Sequence, residues 1–217
     1  MKKVSVIGAT GFVGKQVVKE LVNRGYQVQA IARDISKVEN NDAVTARRAD
    51  VNDQDGLAEV LKGSDAVIST YNAGWSNPNI YAEFLKGSRN IEKAVEKAGV
   101  KRFITVGGAG SLFTPQGTQL VDDPSFPEAY KQGALAARDY LNEIRNNRNL
   151  DWTFFSPAIE MHQGTAGVRK GSYRTALDEP VFDANGRSML SVEDVAVALV
   201  DELEQNKHIR QRFTAAY

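Results

Sequence analysis

Apolar residues follow two alternating rhythms along this chain. Short continuous runs, at Val4-Ser5-Val6-Ile7, Gln27 to Ala32, Asp65 to Thr70, Arg102 to Val106 and Trp152 to Phe155, have the length and density of strands buried on both faces. Val44 to Ala46, continuing through Arg47, Arg48, Ala49 and Asp50, reads as a shorter strand. Between these runs the apolar positions switch to helical spacing: Phe12, Val13, Val17, Val18, Leu21 and Val22, then Leu57, Val60 and Leu61, then Phe84, Leu85, Ile91, Ala94 and Val95, then Tyr130, Leu135, Tyr140, Leu141 and Ile144. Asp53, Asn77-Pro78 and Pro127 stand where these helices should open, and Gly25, Gly63 and Gly99 where the first three should close.

Strand and helix in alternation predict an α/β protein: a Rossmann-like, doubly wound parallel sheet with helices on both faces and right-handed crossovers. The last third departs from the rhythm. Gly171 to Ala176 and Pro180 to Leu190 read as short strands with a turn at Asn185-Gly186, and Phe213 to Ala215 as a final edge strand. Ser191-Val192-Glu193-Asp194 resembles a capping box, opening a helix to about Glu204. One domain over residues 1–217 is expected, with a small C-terminal cap mainly within 157–190.

Ligands of such a sheet bind outside the carboxyl ends of the strands, so the residues after each strand are the candidates for chemistry. Gly8, Gly11 and Gly14 follow the first strand and lead into the first helix. Glycine permits the tight turn and the close approach of a pyrophosphate, and the helix start offers free N–H groups and a positive dipole end. Thr10, Phe12 and Val13 belong to the same turn. Asp50 and Val51 follow the third strand and are placed to face an adenine; Tyr71 and Asn72 follow the fourth, Gly107 the fifth and Pro157 the sixth. At the end of the second strand, where an NAD site carries an acid for the ribose 2′-hydroxyl, Arg33 stands instead. A guanidinium fork suits a 2′-phosphate, and Lys37 could add charge. NADP(H) is therefore preferred, with NAD(H) left open because Asp34 could serve as the ribose acceptor if the strand runs longer.

Composition narrows the field. Lys plus Arg and Asp plus Glu are both 27, giving no basic excess for nucleic acid or an anionic membrane. Neither a membrane span nor a signal-peptide core is visible, so a cytoplasmic location is expected. With no cysteine and only His162 and His208, thiolate chemistry is excluded and a metal site is not expected.

Val-Ile-Gly-Ala-Thr-Gly-Phe-Val-Gly at 6–14, Ala-Arg-Asp at 32–34, Ala-Asp-Val at 49–51, Val-Gly-Gly-Ala-Gly-Ser at 106–111, Asp-Trp-Thr-Phe-Phe-Ser-Pro-Ala at 151–158 and Ser-Val-Glu-Asp-Val-Ala at 191–196 together resemble the atypical short-chain dehydrogenase/reductases. The nearest resemblance is to bacterial proteins provisionally named NADH-flavin reductases. It implies an NAD(P)H-binding domain, and family activities that span reductases, epimerase-like enzymes and non-catalytic cofactor sensors. The Tyr-x-x-x-Lys pair of the typical short-chain enzymes is broken here: four residues after Tyr130 comes Ala134, and four after Tyr140 comes Ile144. Lys131, adjacent to Tyr130, points about 100° away on a helix and does not replace the missing partner.

The expected activity is therefore hydride transfer from NADP(H) to a small flat acceptor, a flavin or quinone, which needs stacking more than a dedicated proton carrier. Ser111, Tyr130 and Lys131 are the candidates to orient that acceptor. A cofactor-binding sensor without turnover and an epimerase-like enzyme are the alternatives. Gly107 to Phe126 is long enough for a lid, Pro157 to Lys170 for its opposite wall; His162 is a candidate proton donor there and Trp75 a candidate lining residue.

Overall fold

A computed structural model describes residues 2–217. The strands are β1 (Lys3–Ile7), β2 (Gln27–Ala32), β3 (Val44–Arg48), β4 (Ala66–Ser69), β5 (Arg102–Val106), β6 (Asp151–Ser156), β7 (Arg174–Ala176) and β8 (Gln211–Ala216). They form one sheet in the order β3-β2-β1-β4-β5-β6-β8-β7, all parallel except β7, which runs antiparallel to β8. The helices are α1 (Phe12–Asn23), α2 (Gln54–Leu61), α3 (Ile80–Lys97), α4 (Glu128–Ile144) and α5 (Val192–Gln205).

Each strand is apolar on both sides because both sides are covered. Val17 and Leu21 of α1 and Val195, Ala198 and Leu199 of α5 pack over Val4, Val6, Phe155 and Phe213 on one face. On the other, Leu57 of α2, Phe84 and Ile91 of α3 and Tyr140 and Leu141 of α4 cover Ile7, Val67, Phe103 and Phe154. The chain winds outward from β1 to β3 and then returns to the other side of β1 as β4. Between β1 and β4 lies the reversal of strand order, where a crevice opens at the carboxyl ends.

Three expectations for the last third are corrected. β8 is not an edge strand, because β7 pairs along it from Arg174 opposite Ala216 to Ala176 opposite Thr214. Pro180 to Leu190 forms no strand. Its backbone closes on itself at Asp183, whose N–H donates to the Arg187 carbonyl (2.8 Å) and whose carboxylate accepts from the N–H groups of Asn185 and Arg187, leaving only Met189 to bridge Glu160. Asn185-Gly186 is thus a turn, but not one joining two strands. Finally, Ser191 caps α5 by accepting from the Asp194 N–H (3.1 Å), yet the Asp194 carboxylate does not complete the box. It accepts instead from the N–H groups of Lys170 (2.9 Å) and Gly171 (2.8 Å), which keeps those residues out of β7.

Candidate functional site

The loop after β1 is built by close approach. Gly8 has φ +78°, and its N–H donates to the Ile31 carbonyl at 3.1 Å. A Cβ on Gly14 would lie 2.1 Å from the Gly8 carbonyl oxygen, and one on Gly11 would lie 3.2 Å from it, so glycine alone lets α1 start this close to β1. Thr70, just past β4, donates its hydroxyl to the Ile7 carbonyl at 3.0 Å and ties the two sides of the crevice together. Gly11 caps α1 without a side-chain hydrogen bond, and the first turn carries no acid. Phe12 and Val13 open that turn, and Thr10 precedes it half-buried. A dinucleotide pyrophosphate fits this cradle: no Cβ fills it, and the helix start is both exposed and electropositive.

β2 ends at Ala32, and Arg33 follows it exposed. Asp34 caps the local backbone through one of its two carboxylate oxygens. Its carboxylate accepts from the N–H (3.0 Å) and hydroxyl (2.7 Å) of Ser36, capping the short turn Ile35–Lys37. Those bonds, with Lys37 and Arg48 nearby, hold its carboxyl below the usual carboxylate range. Arg48, aligned with Ala32 across the β2–β3 ladder, therefore joins Lys37 in the surroundings of Asp34, the residue after Arg33. No local signal marked it. Asp50 accepts from the Asn52 N–H at 2.9 Å, and the Val51 carbonyl accepts from the Asn90 side chain at 3.1 Å. The Tyr71 ring lies over Gly87, where a Cβ would sit 2.5 Å from it, and its hydroxyl donates to the Glu83 carbonyl. Burial raises its pKa, Glu83 and Asp50 act in the same direction, and Arg33 opposes them. Asn72 accepts from the Gly74 N–H at 2.7 Å.

On the β5–β6 side, the Gly107 N–H donates to the Phe155 carbonyl at 2.9 Å, and a Cβ there would fall 1.9 Å from the Phe154 ring. Pro157 is buried beside it. The three acceptor-orienting candidates have separate partners. Ser111 is buried, and its hydroxyl accepts from Arg212 Nη1 at 3.0 Å. Arg212 in turn donates to Asp178 from Nε (3.0 Å) and Nη2 (2.5 Å), while burial lowers its pKa. Tyr130 is exposed and edge-on to Trp75, ring centroids 5.3 Å apart. Lys131 lies 3.9 Å from the Glu128 carboxylate. No hydrogen bond among the described residues joins Ser111, Tyr130 and Lys131 to one another.

The connection from Gly107 to Phe126 is packed rather than open. Leu112 and Val121 are fully buried, the Phe113 N–H donates to the Asp178 carbonyl (2.8 Å) and Leu120 to that of Leu112 (2.9 Å). His162 accepts the Gly164 N–H at Nδ1 (3.0 Å), which occupies that nitrogen's lone pair with a capping bond. Two partly open depressions lie elsewhere. One of about 250 Å³ lies at the amino ends of β5 and β6, against Lys101 and Leu150, and one of about 340 Å³ lies among Tyr173, Asp201, His208 and Phe213.

Among solved structures, a Bacteroides thetaiotaomicron protein provisionally named an epimerase is 44% identical, with a TM-score of 0.91, over 100% of this chain and 97% of its own. A Streptococcus pneumoniae protein provisionally named an NADH-flavin reductase is 35% identical, TM-score 0.86, over 100% and 99%. A Burkholderia pseudomallei protein provisionally named an exported protein is 40% identical, TM-score 0.86, over the whole of both chains. No helix among the described residues is long and apolar enough to cross a membrane. The NAD(P)H-binding family pattern matches residues 8–206, which span the glycine turn, Arg33 and the strand ends facing the crevice. This likeness and the fold support an enzyme of the NAD(P)H-dependent oxidoreductase kind, and by that match the chain belongs to the NAD(P)H-binding family.

Proposed function

We propose that the protein is an NADP(H)-dependent reductase that passes a hydride to a small, flat, conjugated acceptor such as a flavin or quinone. The observation that carries the cofactor preference is the exposed Arg33 immediately after β2, at the position where an NAD site carries an acid, with Lys37 and Arg48 adding positive charge close by at Asp34. In this reading Gly8, Thr10, Gly11, Phe12, Val13 and Gly14 hold the pyrophosphate. Arg33 holds the 2′-phosphate, Asp50 and Val51 flank the adenine, and Tyr71, Asn72, Gly107 and Pro157 line the nicotinamide half. Bound there, the nicotinamide would supply a hydride, which with one proton from water would reduce a quinone to its hydroquinone and leave oxidised NADP⁺. Residues 157–190 form the acceptor-side cap, and Ser111, Tyr130 and Lys131 are the nearby polar groups for orienting the acceptor.

NADH-flavin reductase, the provisional name of the pneumococcal protein, supports the acceptor class. Against an alcohol–ketone or epimerase-type reaction stands Ala134, one turn beyond Tyr130, where a lysine would be needed to lower the phenol's pKa. The same residue favours a second reading, a cofactor-binding sensor without turnover. NADPH oxidation followed by absorbance with FMN, with menadione and with no acceptor separates the two. Acceleration by either acceptor is expected, and binding without acceleration selects the sensor. Arg33→Ala should raise the KM for NADPH about tenfold and leave that for NADH within about twofold, a difference worth roughly 1.4 kcal/mol. Equal weakening of both cofactors overturns the 2′-phosphate assignment.

A further inference from the structure

Among the described residues seven large apolar side chains are exposed, and of these Trp75 (56% exposed) and Tyr130 (51%) stand in ring contact with each other. Their rings meet nearly at right angles, 89°, with centroids 5.3 Å apart, while each residue keeps about half of its surface exposed. Both lie at the carboxyl edge of the sheet. Trp75 follows β4 by six residues and Asn72 by three, while Tyr130 sits in the first turn of α4, whose start follows the β5 connection. This is the β4–β5 side of the crevice, away from the Arg33 corner on β2 and β3.

Exposed tryptophan loses favourable burial, so a fold that holds one in place calls for a reason. Here the holding is thorough. Gly74 adopts φ +101° while its N–H donates to Asn72 at 2.7 Å, and Asn77 closes the loop by donating its N–H to the Gly74 carbonyl (3.0 Å) and its side chain to the Ala73 carbonyl (3.2 Å). The indole then rests on Gly133, inside α4, where a Cβ would lie 2.7 Å from the Trp75 ring. Glycine within a helix weakens it relative to alanine. At this position the glycine makes the seat for the indole.

We propose that Trp75 and Tyr130 form a stacking platform for the conjugated ring of the acceptor, beside the nicotinamide half of the cofactor site. The inference rests on the reductase reading above and deepens it: the platform selects flat, fused-ring or quinonoid acceptors over aliphatic carbonyl compounds. A rigid aromatic pair binds such rings through their faces without needing a specific hydrogen-bond pattern, which suits a site where no dedicated Tyr–Lys pair exists.

The intact protein supplies its own reporter, because Trp152, the other tryptophan, is 2% exposed. With saturating NADP⁺, which cannot donate hydride, titration with menadione or FMN should quench Trp75 emission to a plateau; Trp75→Phe should abolish that saturable quenching. In turnover, Trp75→Ala should raise the acceptor KM about tenfold with the NADPH Kd within about twofold of the parent, and Trp75→Tyr should restore most of the loss. If acceptors quench to a plateau but never speed NADPH oxidation, the platform stands and the reductase reading falls. If turnover occurs and the acceptor KM is the same in Trp75→Ala, the platform falls and the reductase stands. Should Trp75→Ala convert a dimer to a monomer in sedimentation without touching acceptor KM, the pair is an interface between copies, and the proposal is likewise overturned.

Discussion

At the scale of single residues, the glycines of this chain serve unlike purposes, and the difference can be measured. Gly14 lies within α1, where alanine would ordinarily favour the helix by about 1 kcal/mol. Its Cβ, however, would sit 2.1 Å from the Gly8 carbonyl oxygen, so α1 would have to retreat from β1 and widen the cradle. Gly14→Ala should cost about 1–3 kcal/mol in denaturant unfolding, as overpacking does. It should also weaken NADPH binding at least about tenfold by calorimetry. Gly25 is the control. Nothing lies within 4 Å of its would-be Cβ, but φ is +81°, so Gly25→Ala should cost about 1–2 kcal/mol from the left-handed backbone alone. Its cofactor affinity should be unchanged. If the two variants lose cofactor affinity equally, the cradle geometry is not what binds.

Between elements, the buried carboxylate of Glu20 joins α1 to the C-terminal segments. It accepts from Arg24 Nε at 2.9 Å and from Arg169 Nη2 at 2.9 Å, while Arg24 also reaches Asp201 of α5 at 2.7 Å. Burial alone would raise the Glu20 pKa, but the hydrogen bonds and charges of Arg169 and Arg24 outweigh it and hold the group below its ordinary 4.5. A carboxylate depressed in the folded state contributes stability above its unfolded pKa and loses it as pH falls through the folded value. Glu20→Gln should therefore be less stable at pH 7 by about 2 kcal/mol, the scale of hydrogen bonds to a charged group. Its deficit should narrow as pH drops below about 4.5, where the unfolded parent's carboxylate begins to protonate, and vanish once pH has fallen through the lower folded-state value. A constant deficit from pH 7 to 3 would show that packing, not charge, carries the contact. This tie is the kind of feature the sequence leaves unreadable. The main strands and helices were legible because their periodicity and punctuation are local: Gly25, Gly63 and Gly99 do close their helices, and Pro127 stands at the start of α4. The glycine turn, a tertiary feature, was legible because its spacing encodes it. By contrast, Arg212 meets Ser111 across 101 residues, Arg48 comes near Asp34 only through strand register, and Asp194 leaves its expected cap for Lys170 and Gly171. Each depends on pairing between distant segments, for which no periodicity exists.

For the whole molecule, the crevice lies where the two halves of the sheet diverge, with β1, β2 and β3 on one side and β4, β5 and β6 on the other. Thr70 already bridges the halves, and a dinucleotide with its pyrophosphate on the β1 loop, its adenosine toward Arg33 and its nicotinamide toward Gly107 would span both. A ligand bound across both halves to the folded state alone must raise the temperature at which the whole fold melts. At a hundred times its Kd the gain is about 2.7 kcal/mol, which for a chain of this size corresponds to a Tm increase of about 5–11 °C. At the same NADPH concentration, Arg33→Ala with a tenfold weaker Kd should retain about half of that increase, while the shift with NADH stays as in the parent. Differential scanning calorimetry of both proteins with each cofactor measures this directly. Because the assay needs no acceptor, it tests the nucleotide site independently of any turnover. A Tm that does not move with either cofactor at millimolar concentration would mean that the turn at Gly8, Gly11 and Gly14 serves only to pack α1 against β1.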